Sequence, residues 1–130
     1  VDAVLLDAPC SATGTIRRRP DILGRRSSAD ISSLQTIQWE LATTALEWLK
    51  PGGQMIYATC SLQPEEGEDI IAAILEAADG RYQLAPITDA EAGLFGRSIT
   101  ENGCVRILPS SYADIGGVDG FFIARLMSIA

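Results

Sequence analysis

The sequence predicts an α/β fold in which helices cross over a central sheet. Three observations carry that prediction. Two short apolar runs, "AVLLD" at residues 3–7 and "QMIYAT" at 54–59, each suit a strand buried on both faces. A helical pattern separates them and a second helical pattern follows. Two more strand-like runs, "CVRIL" and "GFFIARL", close the chain. Strand, helix, strand, helix, then strands is the element order of a sheet with helical crossovers.

The first run ends in Asp7 and passes into a loop rich in Pro, Gly, Ser and Thr. From Ile31 to Leu49 apolar residues recur at helical spacing: Ile31, Leu34, Ile37, Leu41, Ala45 and Trp48. Ser28 or Asp30 is expected to cap the start, and "KPGG" at 50–53 supplies the breakers. After the second strand, "PEEGEDIIAAILEAADG" predicts a helix with Pro64 in its first turn. Glu65, Glu66, Glu68 and Asp69 then fall where the helix dipole favours negative charge, and Gly80 stops the element. Residues 82–103 are weakly patterned. With no repeat and no internal boundary, residues 1–130 read as a single domain.

Composition sets the bounds. The chain is 47% hydrophobic, enough for a packed core, and has no run of 18 apolar residues to span a membrane. No signal or transit peptide is visible. The net charge of −7 argues against general affinity for nucleic acid. Yet five of the ten basic residues crowd into "RRRPDILGRR": Arg17, Arg18, Arg19, Arg25 and Arg26. On charge alone such a run is a solvated loop. The three cysteines are an odd count, and neither a CxxC pair nor any histidine occurs. A disulfide framework, a zinc site and any other metal site are therefore not expected, and a reducing, cytoplasmic compartment is.

The chemistry lies in "DAPCSATG" at 7–14 and "YATCS" at 57–61. Both follow strand-like runs, and ligands of α/β sheets bind beyond the carboxyl ends of the strands. If the two strands are parallel neighbours, Cys10 and Cys60 face one cleft. A free cysteine ordinarily packs as a small hydrophobe, and Cys104, opening a strand, is read that way. Two cysteines at strand ends, one beside Asp7, are harder to attribute to packing. Asp7 either caps a loop or serves the cleft. Pro9 stiffens the turn, and Gly14 permits close backbone approach.

Together "DAPCSATG", "RRRPDI", "LKPGGQMIYATCSLQPEEGE" and "DGFFIARL" resemble, in order, the Fmu/Sun branch of the NOL1/NOP2/Sun family of RNA (cytosine-5) methyltransferases. The resemblance covers nearly the whole chain and is weakest over 82–103. It implies the second half of a Rossmann-like methyltransferase sheet using S-adenosylmethionine. The Gly-rich donor loop and the ribose-binding acid of that fold do not occur here. They are expected in a missing N-terminal half, so the isolated chain is expected to be inactive. The resemblance further implies Cys60, Cys10 and Asp7 as catalytic residues. Asp7 and Pro9 would bind the cofactor, Arg17, Arg18 and Arg19 would bind RNA, and small-subunit ribosomal RNA would be the substrate. Arg19 stands where a histidine is common, and Gly67 where an asparagine is.

The residues suit that chemistry. Carbon 5 of cytosine is a poor nucleophile until a thiolate adds to carbon 6. Cysteine is soft and leaves readily, which favours it over serine. An ordinary thiol, with pKa about 8.5, is only ~3% thiolate at pH 7, so the site must activate it. An acid such as Asp7 can stabilise the adduct by hydrogen bonding to the base. Spacing does not choose the nucleophile. Thr59-Cys60 matches the RNA family's nucleophile motif, and Pro9-Cys10 matches that of DNA cytosine-5 methyltransferases. Two other readings compete. An amino-group methyltransferase would place its Asp-Pro-Pro motif at "DAPC" but leave Cys60 unexplained. A non-catalytic RNA-binding module would not need Asp7, Cys10 and Cys60 together.

Overall fold

The computed structural model describes Val1–Ile129. Strand β1 (Ala3–Asp7) runs parallel to β2 (Gln54–Thr59), in register from Ala3–Gln54 to Asp7–Ala58. The crossover between them is helix α1 (Ser28–Glu47). Then come α2 (Glu68–Ala77), β3 (Tyr82–Leu84), a short α3 (Asp89–Ala92), β4 (Val105–Ile107) and β5 (Phe121–Ser128). The sheet order is β1-β2-β5-β3, with β4 also on β5. β5 lies antiparallel between β2 and β3. β3 pairs with its last residues and β4 with its first.

Local chemistry sets the helix boundaries. The α1 cap is Ser27, not Ser28 or Asp30. The Asp30 N–H donates to Ser27 Oγ at 3.3 Å, and the Ser27 N–H donates to Asp30 Oδ2 at 2.8 Å. Asp30 is thus the partner that closes a capping box, an arrangement worth about 1 kcal/mol. Its hydrogen bonds from the Ser27 backbone and hydroxyl hold its carboxyl below the usual range. The second helix is shorter than the sequence pattern suggests. Pro64 opens a separate 3₁₀ turn, Pro64–Glu66, and α2 begins only at Glu68. The break falls at Gly67, whose backbone is non-helical, and Glu66 just before it points inward while the Tyr57 hydroxyl donates to its carbonyl at 2.8 Å.

The periodicity of α1 is helical, but its buried face differs from the apolar stripe. Gln38, Ala42, Ala45 and Leu46 are buried, whereas Ile37, Leu41 and Trp48 are exposed. Ala42 lets the helix approach the sheet closely, and Gln38 finds polar partners at the strand ends. The main core joins these residues to Met55 and Tyr57 of β2, Phe122, Ala124 and Leu126 of β5, and Ile70, Ile71 and Ile74 of α2. A smaller cluster on the opposite face gathers Val105, Ile107 and Tyr112 with Phe95, Phe121 and Ile123.

Within this chain β1 lies at the sheet edge, and Ala3, Leu5 and Asp7 are exposed there, Leu5 by 74%. β2 alternates between buried and half-buried positions. The weakly patterned stretch is ordered by distant partners. Thr88 and Glu91 form a capping box for α3, and Arg125 of β5 donates to Glu91 at 2.7 Å.

Candidate active site

β1 and β2 end side by side, so the loops that follow them emerge together. The Ala8 N–H continues the ladder to the Ala58 carbonyl at 2.9 Å. Beyond it the chain turns and brings Cys10 Sγ to 3.4 Å from Cys60 Sγ. Gly14 locks the two loops together. Its N–H donates to the Cys60 carbonyl at 2.9 Å, and its own carbonyl accepts from Gly120 N–H at 2.8 Å. A Cβ there would lie 2.2 Å from the Gly120 oxygen and 2.7 Å from the Cys60 oxygen, so only glycine fits. Thr13 adds a tie, its Oγ1 accepting from Leu62 N–H at 2.9 Å.

The two thiols are electrostatically unequal. The hydrogen bond from Cys10 lowers the Cys60 pKa to about 7, against burial and the nearby negative charges of Asp7 and Asp119. The same bond, with burial, pushes the Cys10 thiol up. Either thiol can donate across this contact, and the opposed shifts favour the arrangement in which Cys10 is the donor. A thiol with a pKa of 7 is about half ionised at neutral pH, against ~3% for an ordinary cysteine. Cys104 is 2% exposed in the main core, its thiol pushed up by burial. All three cysteines are free.

Asp7 and Pro9 are exposed at the same strand end, and the Pro9 carbonyl accepts from Gln38 Nε2 at 2.9 Å. The arginine run is more engaged than a solvated loop would be. Arg18 grips Asp119 through Nε and Nη2, at 2.9 and 2.6 Å to Oδ2, and Arg17 Nε lies 3.2 Å from the other oxygen. Arg19 and Arg25 share Asp21 at 3.6 Å, and Arg26 donates to the Ser11 carbonyl at 3.1 Å. Four arginines thus share two carboxylates, and Arg26 binds a backbone carbonyl.

Two site residues escaped the sequence reading. Asp119 comes from the loop before β5, and hydrogen bonding to Arg18 holds its carboxyl below the usual range. Glu66 lies fully buried beneath both cysteine loops. The repeated Cys-Ser dipeptide, Cys10-Ser11 and Cys60-Ser61, was the available signal, because both serines turn toward Glu66. Arg106 completes the floor: it pairs with Glu68 at 2.6 Å and donates to the Ser61 carbonyl at 2.6 Å. Its guanidinium uses the space left open by Gly67, where a Cβ would come within 2.8 Å of it. Among the described residues, no group of three or more His, Cys, Asp or Glu side chains could hold a metal ion, and no helix is long and apolar enough to cross a membrane.

Parallel strands joined by a helix, an antiparallel strand set beside them and a polar cleft at the carboxyl ends define a Rossmann-like methyltransferase fold. The chain belongs to the 16S rRNA methyltransferase RsmB/F family, whose family model matches residues 1–127. It is 41% identical over 127 residues to a ribosomal RNA small subunit methyltransferase B from Shewanella oneidensis, covering 97% of this chain and 27% of that protein. It is 34% identical over 125 residues to a ribosomal RNA small subunit methyltransferase F from Serratia proteamaculans, covering 96% and 25%. Among solved structures, NSun6 from Pyrococcus horikoshii with SFG superposes with a TM-score of 0.73 at 28% identity, over 97% of this chain and 29% of that one. The chain thus spans about a quarter of the length of the curated relatives it matches.

Proposed function

We propose that the protein methylates carbon 5 of a cytosine in RNA, with small-subunit ribosomal RNA as substrate and Cys60 as nucleophile. The observation that carries this reading is the thiol pair: two sulfurs 3.4 Å apart beyond adjacent parallel strands, with Cys60 held near pKa 7. The relatives' names support the RNA class.

The steps follow from the residues. The Cys60 thiolate attacks carbon 6 and forms an S–C6 bond, and the ring's electron density moves toward carbon 5. Asp7, at the mouth of the cleft, accepts a hydrogen bond from the base and stabilises the adduct. S-adenosylmethionine, when bound, supplies the methyl group that carbon 5 takes. Asp7 and Pro9 fit as one wall of its site, an exposed carboxylate and a rigid apolar ring at the end of an edge strand. The rest of that site belongs to a part of the protein outside this chain, and SFG, an analogue of this donor, accompanies the related NSun6. A base then removes the proton from carbon 5. The C5–H pair re-forms the ring double bond, the S–C6 bond breaks, and the thiolate is regenerated. Cys10, the proton holder beside that sulfur, assists the release. Arg17, Arg18 and Arg19 meet RNA phosphates at the rim with the donors that Asp119 and Asp21 leave free. Three free cysteines suit the reducing cytoplasm.

The test is RNA containing 5-fluorocytosine, offered to the full-length protein. The wild type should form a covalent adduct that survives a denaturing gel. Cys60→Ala should form none, and Cys10→Ala should also be trapped, after methyl transfer, on RNA that contains no fluorocytosine. Trapping by Cys60→Ala but not Cys10→Ala would make Cys10 the nucleophile. No adduct with any form would remove the thiol mechanism.

A further inference from the structure

Glu66 takes no part in the chemistry above, yet it is fully buried. A buried carboxylate costs several kcal/mol unless donors replace its water. Here four donors converge on it. Oε1 accepts from the Ser11 N–H at 2.8 Å and from Gln38 Nε2 at 3.2 Å. Oε2 accepts from Ser11 Oγ at 2.6 Å and from Ser61 Oγ. A carboxylate is acceptor-only and can satisfy all four, whereas a glutamine would set two N–H donors among them. A residue serving the core alone would be less costly if apolar.

The identity of the donors gives the group its meaning. Ser11 follows Cys10 directly, and Ser61 follows Cys60 directly. One carboxylate oxygen therefore holds two hydroxyls, each one residue from a sulfur, on two loops 50 residues apart in sequence. Glu66 is itself anchored from the middle of β2, through the Tyr57 hydroxyl on its carbonyl. The Cys10 loop, the Cys60 loop and the sheet meet at this one side chain.

We propose that Glu66 is the positioning residue of the cysteine pair: its carboxylate ties Ser11 to Ser61 and so sets the two sulfurs within hydrogen-bonding distance. As a statement about cytosine methylation this rests on the function proposed above. As a statement about the thiols it stands alone.

The experiment compares wild type, Glu66→Gln and Glu66→Ala in the full-length protein, with folding checked by circular dichroism. Two thiol readouts are taken. The first is the rate of Cys10–Cys60 disulfide formation by diamide, in which each thiol gives up one electron and one proton and the azo bond is reduced to a hydrazine. The second is the pH midpoint for alkylation of Cys60 by iodoacetamide. Glu66→Gln should slow disulfide formation at least ~10-fold and move the midpoint up toward the ordinary cysteine value of about 8.5. Glu66→Ala should do the same or more. A merely structural residue would lower the melting temperature and leave both thiol readouts in place. A folded Glu66→Gln protein with a disulfide rate within twofold of wild type and an unmoved midpoint overturns the proposal. If the Glu66 variants do not fold, Ser11→Ala and Ser61→Ala each delete one tether and carry the same expectation, and two unchanged profiles overturn it equally. Shifted thiols in the variants with no fluorocytosine adduct in the wild type would remove the proposed function and leave the positioning role. A normal adduct with unshifted thiols would do the reverse.

Discussion

Deleting the Cys10 thiol should change the chemistry of Cys60 before any RNA is present. In Cys10→Ala the sulfur 3.4 Å away is gone, and its hydrogen bond is the largest cause of the lowered Cys60 pKa. Without it the Cys60 thiol should return from about 7 toward the ordinary value of about 8.5. At pH 7 the thiolate fraction would fall from about half to ~3%, roughly 15-fold. A more basic thiolate is also more nucleophilic, with a Brønsted slope of about 0.4–0.5, so each thiolate should react ~5-fold faster. The two effects oppose each other. The variant should be alkylated ~3-fold more slowly than wild type at pH 7 and ~5-fold faster once both are fully ionised, so the two profiles cross. The assay is iodoacetamide labelling from pH 5.5 to 10, with the Cys60 peptide quantified by mass spectrometry. Buried Cys104 serves as the unreactive control. A Cys10→Ala midpoint still near 7 would refute the hydrogen bond as the cause. Slower labelling at every pH would point to lost access rather than lost proton sharing.

Two further outcomes follow from the geometry. Gly14→Ala should cost about 2–3 kcal/mol, the upper range for overpacking, because its Cβ would strike two backbone oxygens of the site; chemical denaturation measures this, and a loss under ~0.5 kcal/mol would show that the cysteine loops are not locked there. Replacing Arg17, Arg18 and Arg19 by Ala in the full-length protein should weaken RNA binding and flatten its dependence on salt, since each phosphate contact contributes about one unit of slope, and an unchanged slope would confine these arginines to Asp119 and Asp21.

Much of this architecture was legible because it is local. Short apolar runs ending in Asp7 and Thr59 sit where β1 and β2 form, and the helical period between them forms α1. The two Cys motifs could be placed at strand ends because strand ends are where apolar runs stop. Charge and spacing left the nucleophile open, since a thiol's ionisation depends on its neighbours in space. Family likeness pointed to Cys60, and the lowered pKa of that thiol beside Cys10 is consistent with the proposal.

What only the tertiary structure decided was long-range. The antiparallel entry of β5 between β2 and β3 depends on pairing across some 65 residues, which no local pattern encodes. Within this chain β1 has a partner on one side only, β2, and which of its residues are exposed followed from that pairing rather than from its apolar sequence. The cap at Ser27 turned on which hydroxyl met the Asp30 N–H, a matter of one residue. Glu66 looked like one of several acids at a helix start. Its burial under Ser11, Ser61 and Gln38 required two loops and a helix to converge on one carboxylate, and a sequence lists such donors without their distances.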